Sequence, residues 1–483
     1  MSALKQRKEE FVAGLSGGSI SEINLVTSIA LISYFCWHLL KAKSKNVPIL
    51  TDFFLNWCGL LLSVTIYSGT PISLNILILL PCIAYYLVVP DLPKEKSNKI
   101  NTQKASNEKY KLVKKPYITA YRGGMLVVTC IAILAVDFPI FPRRFAKVET
   151  WGSSLMDLGV GSFVFSNGLV SSRAVIKEEI GITRKPLLLR VFEAFKSSTT
   201  LLALGVARTI SVKNLQYQEH VTEYGVHWNF FFTLALLPPV MILFDSVSKF
   251  IPRILIALFI SLISEAFLLF KDGFLNYMVF HPRDTFFNAN REGLFSFLGY
   301  CAIFLCGQST GFFVLGNHVT ENNLYKPSSK VYNSKSNKHA SVWTKLTSMS
   351  PLNGLLTWSL IFITMTQFVL SYYPYNISRR FANQPYVLWV AAYNTTFLAG
   401  YCLVDSIFKN DGSDGQIPKT LEAINSNGLI IFLLANLLTG LTNMIINTLD
   451  TTPASGIAIL LAYTSVISLT AMLMYSYKIF IKL

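Results

Sequence analysis

Thirteen stretches of the sequence are largely free of charge, and each is about the length a helix needs to cross a bilayer, roughly 20 mostly apolar residues. They fall at 23–41, 52–68, 71–90, 120–137, 154–172, 197–212, 226–244, 253–270, 293–316, 352–372, 385–404, 427–447 and 456–476. Lipid offers the backbone no water partner, so apolar runs of this length cross it as helices. Composition agrees. Only 14% of residues are charged and 52% are hydrophobic, against about 25% charged in a soluble domain. A soluble enzyme, a secreted disulfide scaffold and a disordered binding protein are excluded. The predicted fold class is all-α: a polytopic membrane protein of about 13 transmembrane helices. Residues 1–483 are expected to form a single integral membrane domain with no sizeable soluble domain. The runs 52–68 and 197–212 are the shortest.

The chain carries 42 Lys and Arg against 26 Asp and Glu, a formal net charge of +16. Such an excess suits nucleic acid or a membrane topology, and its distribution decides. Three lysines lie in Lys41–Lys45, eight in Asp91–Tyr117 and five in Tyr325–Lys345, and six Lys or Arg lie in Arg173–Lys196. With thirteen alternating spans these segments share one side, which the positive-inside rule makes cytoplasmic. Residues 91–117 and 325–345 read as flexible basic cytoplasmic loops. The N-terminus is then lumenal, and the C-terminus, with Lys478 and Lys482, is cytoplasmic. The charge sets topology, and no nucleic-acid partner is expected. No removable signal peptide is expected either, since Met1–Ser21 lacks an apolar stretch ending in a small-residue cleavage site. Asn376-Ile377-Ser378 is a glycosylation sequon in a predicted lumenal loop. Asn394-Thr395-Thr396 lies within a span and is expected to stay unmodified. Seven cysteines without a CxxC pair read as small core hydrophobes.

Chemistry is expected where polar groups persist beside the membrane, because buried charges there remain only when they work or pair. The densest cluster is Asp137–Gly152, which holds Asp137, Arg143, Arg144 and Lys147 around Pro139 and Pro142. The prolines stop the preceding helix and favour folding back, so that Asp137 can approach Lys147. A carboxylate beside a cation suits acyl transfer: the carboxylate takes a hydroxyl proton, and the lysine orients it or stabilises the oxyanion. Arg143 and Arg144 match phosphate. A helix-end acid with interfacial arginines is the plainer alternative. In the following run Asp157, Gly161 and Gly168 fall near one helical face. With Val164 and Asn167, that face admits either an acyl chain or another helix.

A third cluster, Gln218–Phe230, places His220, Glu223 and His227 at helical spacing, with Trp228 beside them. Zinc by this set is one reading, although HExxH is absent; a hydroxyl-activating histidine and a structural role are the others. Asn290 and Arg291 before one run, and Arg379, Arg380 and Asn383 before another, complete the predicted lumenal polar surface. Four arginines with Asn, His and Glu suit an anionic, hydroxyl-rich head group. No resident metal or cofactor is expected.

At Asp137–Gly168 the run DFPIFPRRFAKVETWGSSLMDLGVGSFVFSNG strongly resembles the GPI-anchor inositol acyltransferases. The resemblance extends to KQRKEEFVAGLSGGS near the N-terminus, KKPYITAYRGGM at Lys114–Met125, and YQEHVTEYGVHWNFF at Tyr217–Phe231. It continues through ANREGLFSFLGY at Ala289–Tyr300, SRRFAN at Ser378–Asn383, INSNGL at Ile424–Leu429 and the terminal IFIKL. It implies an endoplasmic-reticulum enzyme with thirteen spans. Such an enzyme transfers a fatty acyl group, typically palmitoyl, from acyl-CoA to the inositol 2-hydroxyl of glucosaminyl-phosphatidylinositol. It also implies Asp137 and Lys147 as the catalytic pair. No obligate protein partner follows. A head-group flippase is the rival of a different class, and a histidine-based O-acyltransferase using His220 or His227 is the second rival.

Overall fold

The computed structural model describes residues 3–91, 114–179, 185–214, 221–271, 273–315, 320–321, 324, 328–329, 347, 349–410 and 415–481. The expected basic loops at 91–117 and 325–345 fall mostly outside them. Each of the thirteen apolar runs lies on a helix. Among the described residues, nine helices are long and apolar enough to cross a membrane. They are Ile20–Lys43, Pro71–Val88, Pro116–Ala135, Arg253–Phe270, Arg291–Val314, Pro351–Tyr372, Gln384–Ile407, Gly428–Ile445 and Pro453–Ser476. Ile49–Val64 and Phe230–Leu243 are shorter apolar helices. The remaining two, Leu155–Glu179 and Leu187–Asn214, are long but carry several charges. The chain is thus an all-α polytopic membrane protein.

Helix ends follow local chemistry. The run at 226–244 becomes helical only at Phe230, because Asn229 caps it, its side chain accepting from the N–H groups of Phe231 and Phe232. The adjacent Pro238 and Pro239 are accommodated inside this helix. The helix expected at 197–212 starts earlier, at Leu187.

By its contacts the chain divides into two compact units: Met1–Ile20 with Arg143–Thr396, and Ser21–Pro142 with Phe397–Lys482, Leu483 falling to the first. In the first unit, Leu155–Glu179 packs along Arg291–Val314 through small residues. A Cβ on Gly168 would lie 2.1 Å from the Phe304 carbonyl oxygen, and one on Gly307 would lie 2.0 Å from that of Phe165. Gly307 and Gly311 form a GxxxG pair, the spacing that lets two helix backbones touch. We expect Gly307→Ala to cost about 1–3 kcal/mol, the usual penalty of overpacking, because a helix backbone cannot step aside cheaply. A lower melting temperature of the detergent-solubilised protein would register it, and an unchanged one would show that the seam yields.

In the second unit, Pro116–Ala135 approaches the short helix Lys419–Ser426 closely, a Cβ on Gly123 lying 2.7 Å from the Leu421 carbonyl oxygen. Buried Asp52 accepts from the backbone N–H (3.0 Å) and hydroxyl (2.6 Å) of Thr420, satisfying that helix's N-terminus. Buried Asp405 accepts from the Tyr34 hydroxyl at 2.6 Å and the Tyr117 N–H at 2.9 Å.

Candidate functional site

In the first unit the polar residues singled out above gather around one turn of chain. Arg143–Phe145 forms a single 3-10 turn, and fully buried Phe145 anchors it. Three residues on, the Val148 N–H donates to Asp157 Oδ2 at 3.0 Å, and the Ser154 hydroxyl donates to the same oxygen at 2.8 Å. Ser154 also accepts from the Asp157 N–H at 3.1 Å, so the helix begins on an S-x-x-D cap. Arg379 Nε donates to Asp157 Oδ1 at 2.5 Å, and Arg379 Nη1 pairs with Glu223 Oε1 at 3.1 Å. Lys147 Nζ donates to that same Glu223 oxygen at 2.8 Å. The lysine reaches solvent most: its side chain is 37% exposed, against 13% for Glu223, 3% for Arg379 and 1% for Asp157.

Burial alone would raise the Glu223 carboxyl, but Lys147 and Arg379 beside it outweigh burial and hold it well below the usual carboxylate range. Burial would likewise lower the Arg379 guanidinium, and Glu223 and Asp157 push it up instead. Each stabilises the other's charged form. The Arg379 guanidinium also lies 5.5 Å from the centre of the Tyr224 ring.

A second network sits beside the first. Glu292, fully buried, accepts from Arg380 Nη2 at 2.9 Å and from both Arg283 amino groups at 2.5 and 3.0 Å. Arg380 also donates to the Thr150 hydroxyl at 3.1 Å. Arg291 donates to the carbonyls of Met278, Pro282 and Asn288. Asn290 Oδ1 accepts from the N–H groups of His227 and Trp228, fixing that loop. Asn383 Oδ1 accepts from Ser378 and Tyr386, and its amide donates to Asn376, shaping the 376–383 turn.

The fold gives the other residues singled out in the sequence the following places. Glu223 and His227 do not share a helical face, because Gly225, at φ +122°, breaks the helix after Tyr224. His227 is exposed beyond the break, and His220 lies outside the described residues. Among the described residues no group of three His, Cys, Asp or Glu is placed to hold a metal. Gly161 and Gly168 serve helix packing: a Cβ on Gly161 would meet Val390 at 2.4 Å, and Gly168 faces Phe304. Val164 is fully buried, and Asn167 is half-buried. Arg379 and Arg380 turn inward to carboxylates and are each 4% exposed. Arg143 stacks over Phe11 at 3.9 Å and Arg144 over Phe145 at 5.0 Å. Asn376 is exposed, while Ile377 and Ser378 of its sequon are buried.

Asp137 belongs to the second unit, two residues past the end of Pro116–Ala135. It is half-buried, and its Oδ2 accepts from Asn443 Nδ2 at 2.7 Å. Asn443 is held in turn by the Thr439 carbonyl and the Thr448 hydroxyl. Neither Glu223 as the lysine's partner nor Asn443 as the aspartate's is legible from spacing, since they lie 76 and 306 residues away.

Fold and site together define a multi-pass, all-helical membrane protein carrying a buried carboxylate–guanidinium network that ends on a solvent-reaching lysine. A GWT1 family model matches residues 4–474. The chain is 57% identical over 484 residues to "GPI-anchored wall transfer protein 1" of Eremothecium gossypii, covering all of both chains. It is 57% identical over 492 residues to the protein of that name in Saccharomyces cerevisiae and 44% over 497 in Candida albicans, again covering all of each chain. The chain belongs to the GWT1 family, which is linked to GPI-anchor biosynthesis.

Proposed function

We propose that this protein is the inositol acyltransferase of GPI-anchor biosynthesis in the endoplasmic-reticulum membrane. It transfers a fatty acyl group, palmitoyl by preference, from acyl-CoA to the inositol 2-hydroxyl of glucosaminyl-phosphatidylinositol. The observation that carries the reading is Lys147: a half-buried ammonium held by a largely buried carboxylate, in the segment where the family resemblance is densest. Asp137 takes the proton of the attacking hydroxyl. The inositol oxygen bonds to the thioester carbonyl carbon, the carbon–sulfur bond breaks, and the proton passes to the departing CoA thiolate. Lys147 stabilises the oxyanion formed between these steps. A thioester is already activated, so positioning and charge suffice without a covalent acyl-enzyme. Arg143 and Arg144 hold phosphate of the lipid or of CoA.

The test is a microsome assay with labelled acyl-CoA and glucosaminyl-phosphatidylinositol. Label on the inositol ring supports the reading. Head-group movement across the bilayer without label would replace it with the flippase. The same reading places the loop holding Asn376 in the lumen. Endoglycosidase treatment is therefore expected to shift the wild-type protein on a gel and to leave Asn376→Gln unmoved. A wild-type protein insensitive to the enzyme would count against that sidedness.

A further inference from the structure

We propose that Glu223 and Arg379 are positioning residues for Lys147, closing a ring of charges that fixes both its side chain and its adjoining backbone. The ring is short and returns to its start. Lys147 Nζ rests on Glu223 Oε1, Arg379 bridges Glu223 and Asp157, and Asp157 accepts the N–H of Val148, the peptide that follows the lysine. Three segments distant in sequence thus meet on one residue: the start of Leu155–Glu179, the helical turn Val221–Tyr224 and the turn at 378–383. With Lys147 protonated the four side chains sum to zero charge, so the partly exposed lysine balances the single negative charge left by the inner three. A free lysine samples many rotamers, and immobilising it beforehand removes that entropy from the reaction step.

This inference rests on the role given to Lys147 above, and its test has an arm independent of catalysis. In the acyl-transfer assay, Glu223→Gln is expected to lower kcat by about tenfold to a hundredfold, the cost of a misplaced group. KM for both substrates should hold. Glu223→Asp should restore part of the loss, and Glu223→Gln should add nothing in a Lys147→Met background. A purely architectural Glu223 would instead lower stability and give additive losses. In the second arm, purified protein is treated with acetic anhydride and Lys147 modification is read by mass spectrometry against Lys115. Release from its carboxylate should make Lys147 react several-fold faster in Glu223→Gln. Unchanged labelling, or unchanged kcat in an active enzyme, overturns the proposal. If wild type transfers no acyl group, the acyltransferase reading fails, and labelling still decides whether Glu223 holds the lysine. Should Glu223→Gln not accumulate, Glu223→Asp carries both arms, with an intermediate fall in kcat and rise in labelling expected.

Discussion

Asp137→Asn is expected to abolish acyl transfer while the protein accumulates at wild-type level. Asparagine keeps the shape of aspartate, and its side-chain oxygen still accepts the Asn443 amide that now donates to Asp137 Oδ2 at 2.7 Å. The basicity and the negative charge are lost. General-base assistance contributes roughly 10²–10⁴-fold, so residual turnover should fall by that factor with acyl-CoA binding retained. The charge removed is only half-buried, and asparagine still answers the Asn443 amide, so the cost to folding should be small. The measurement is labelled acyl-CoA turnover per mole of protein in microsomes. Near-normal turnover would remove Asp137 from the chemistry and return the search for a base to His220 and His227.

The helices were legible in the sequence because lipid imposes one requirement, length without charge, and thirteen runs meet it. The departures have local causes. Leu187–Asn214 extends ten residues ahead of its apolar run, because charged Arg190, Glu193 and Lys196 continue a helix as readily as leucine does. Glu223 and His227 part company because helical spacing assumes continuity, and Gly225 ends the helix two residues before His227. For the site, composition marked charged residues that the fold brings together, but not which of them pair. Arg379 and Arg380 look like head-group ligands until the buried carboxylates facing them are known. Those carboxylates come from segments far away in the chain, and no periodicity reports a pairing of that kind. Asp157 shows the same limit. A carboxylate there signals that something must neutralise it, and only the fold names Arg379.

Glu292→Ala is expected to be the most destabilising single change in the first unit. Glu292 is completely buried and is the shared acceptor of Arg380 and Arg283. Removing it strands cations, and breaking a buried pair from one side costs about 3–5 kcal/mol. The two arginines differ in how they escape. The Arg283 side chain is 23% exposed and can turn to water, whereas that of Arg380 is 4% exposed and is left, among the described residues, with the Thr150 hydroxyl and the Phe381 ring. The damage should therefore trace to Arg380. The double variant Glu292→Leu with Arg380→Met, which removes both charges, should recover much of the loss. Thermal unfolding of the detergent-solubilised protein measures this directly. A wild-type melting temperature in Glu292→Ala would mean that water reaches Arg380, and a double variant no better than the single would mean that packing, not charge, sets the cost. The consequence reaches the candidate site, because Arg380 and Arg379 are consecutive in one turn. Releasing the first loosens the second, and with it the carboxylate that holds Lys147. The same variant should thus lower turnover beyond what the fraction of folded protein explains.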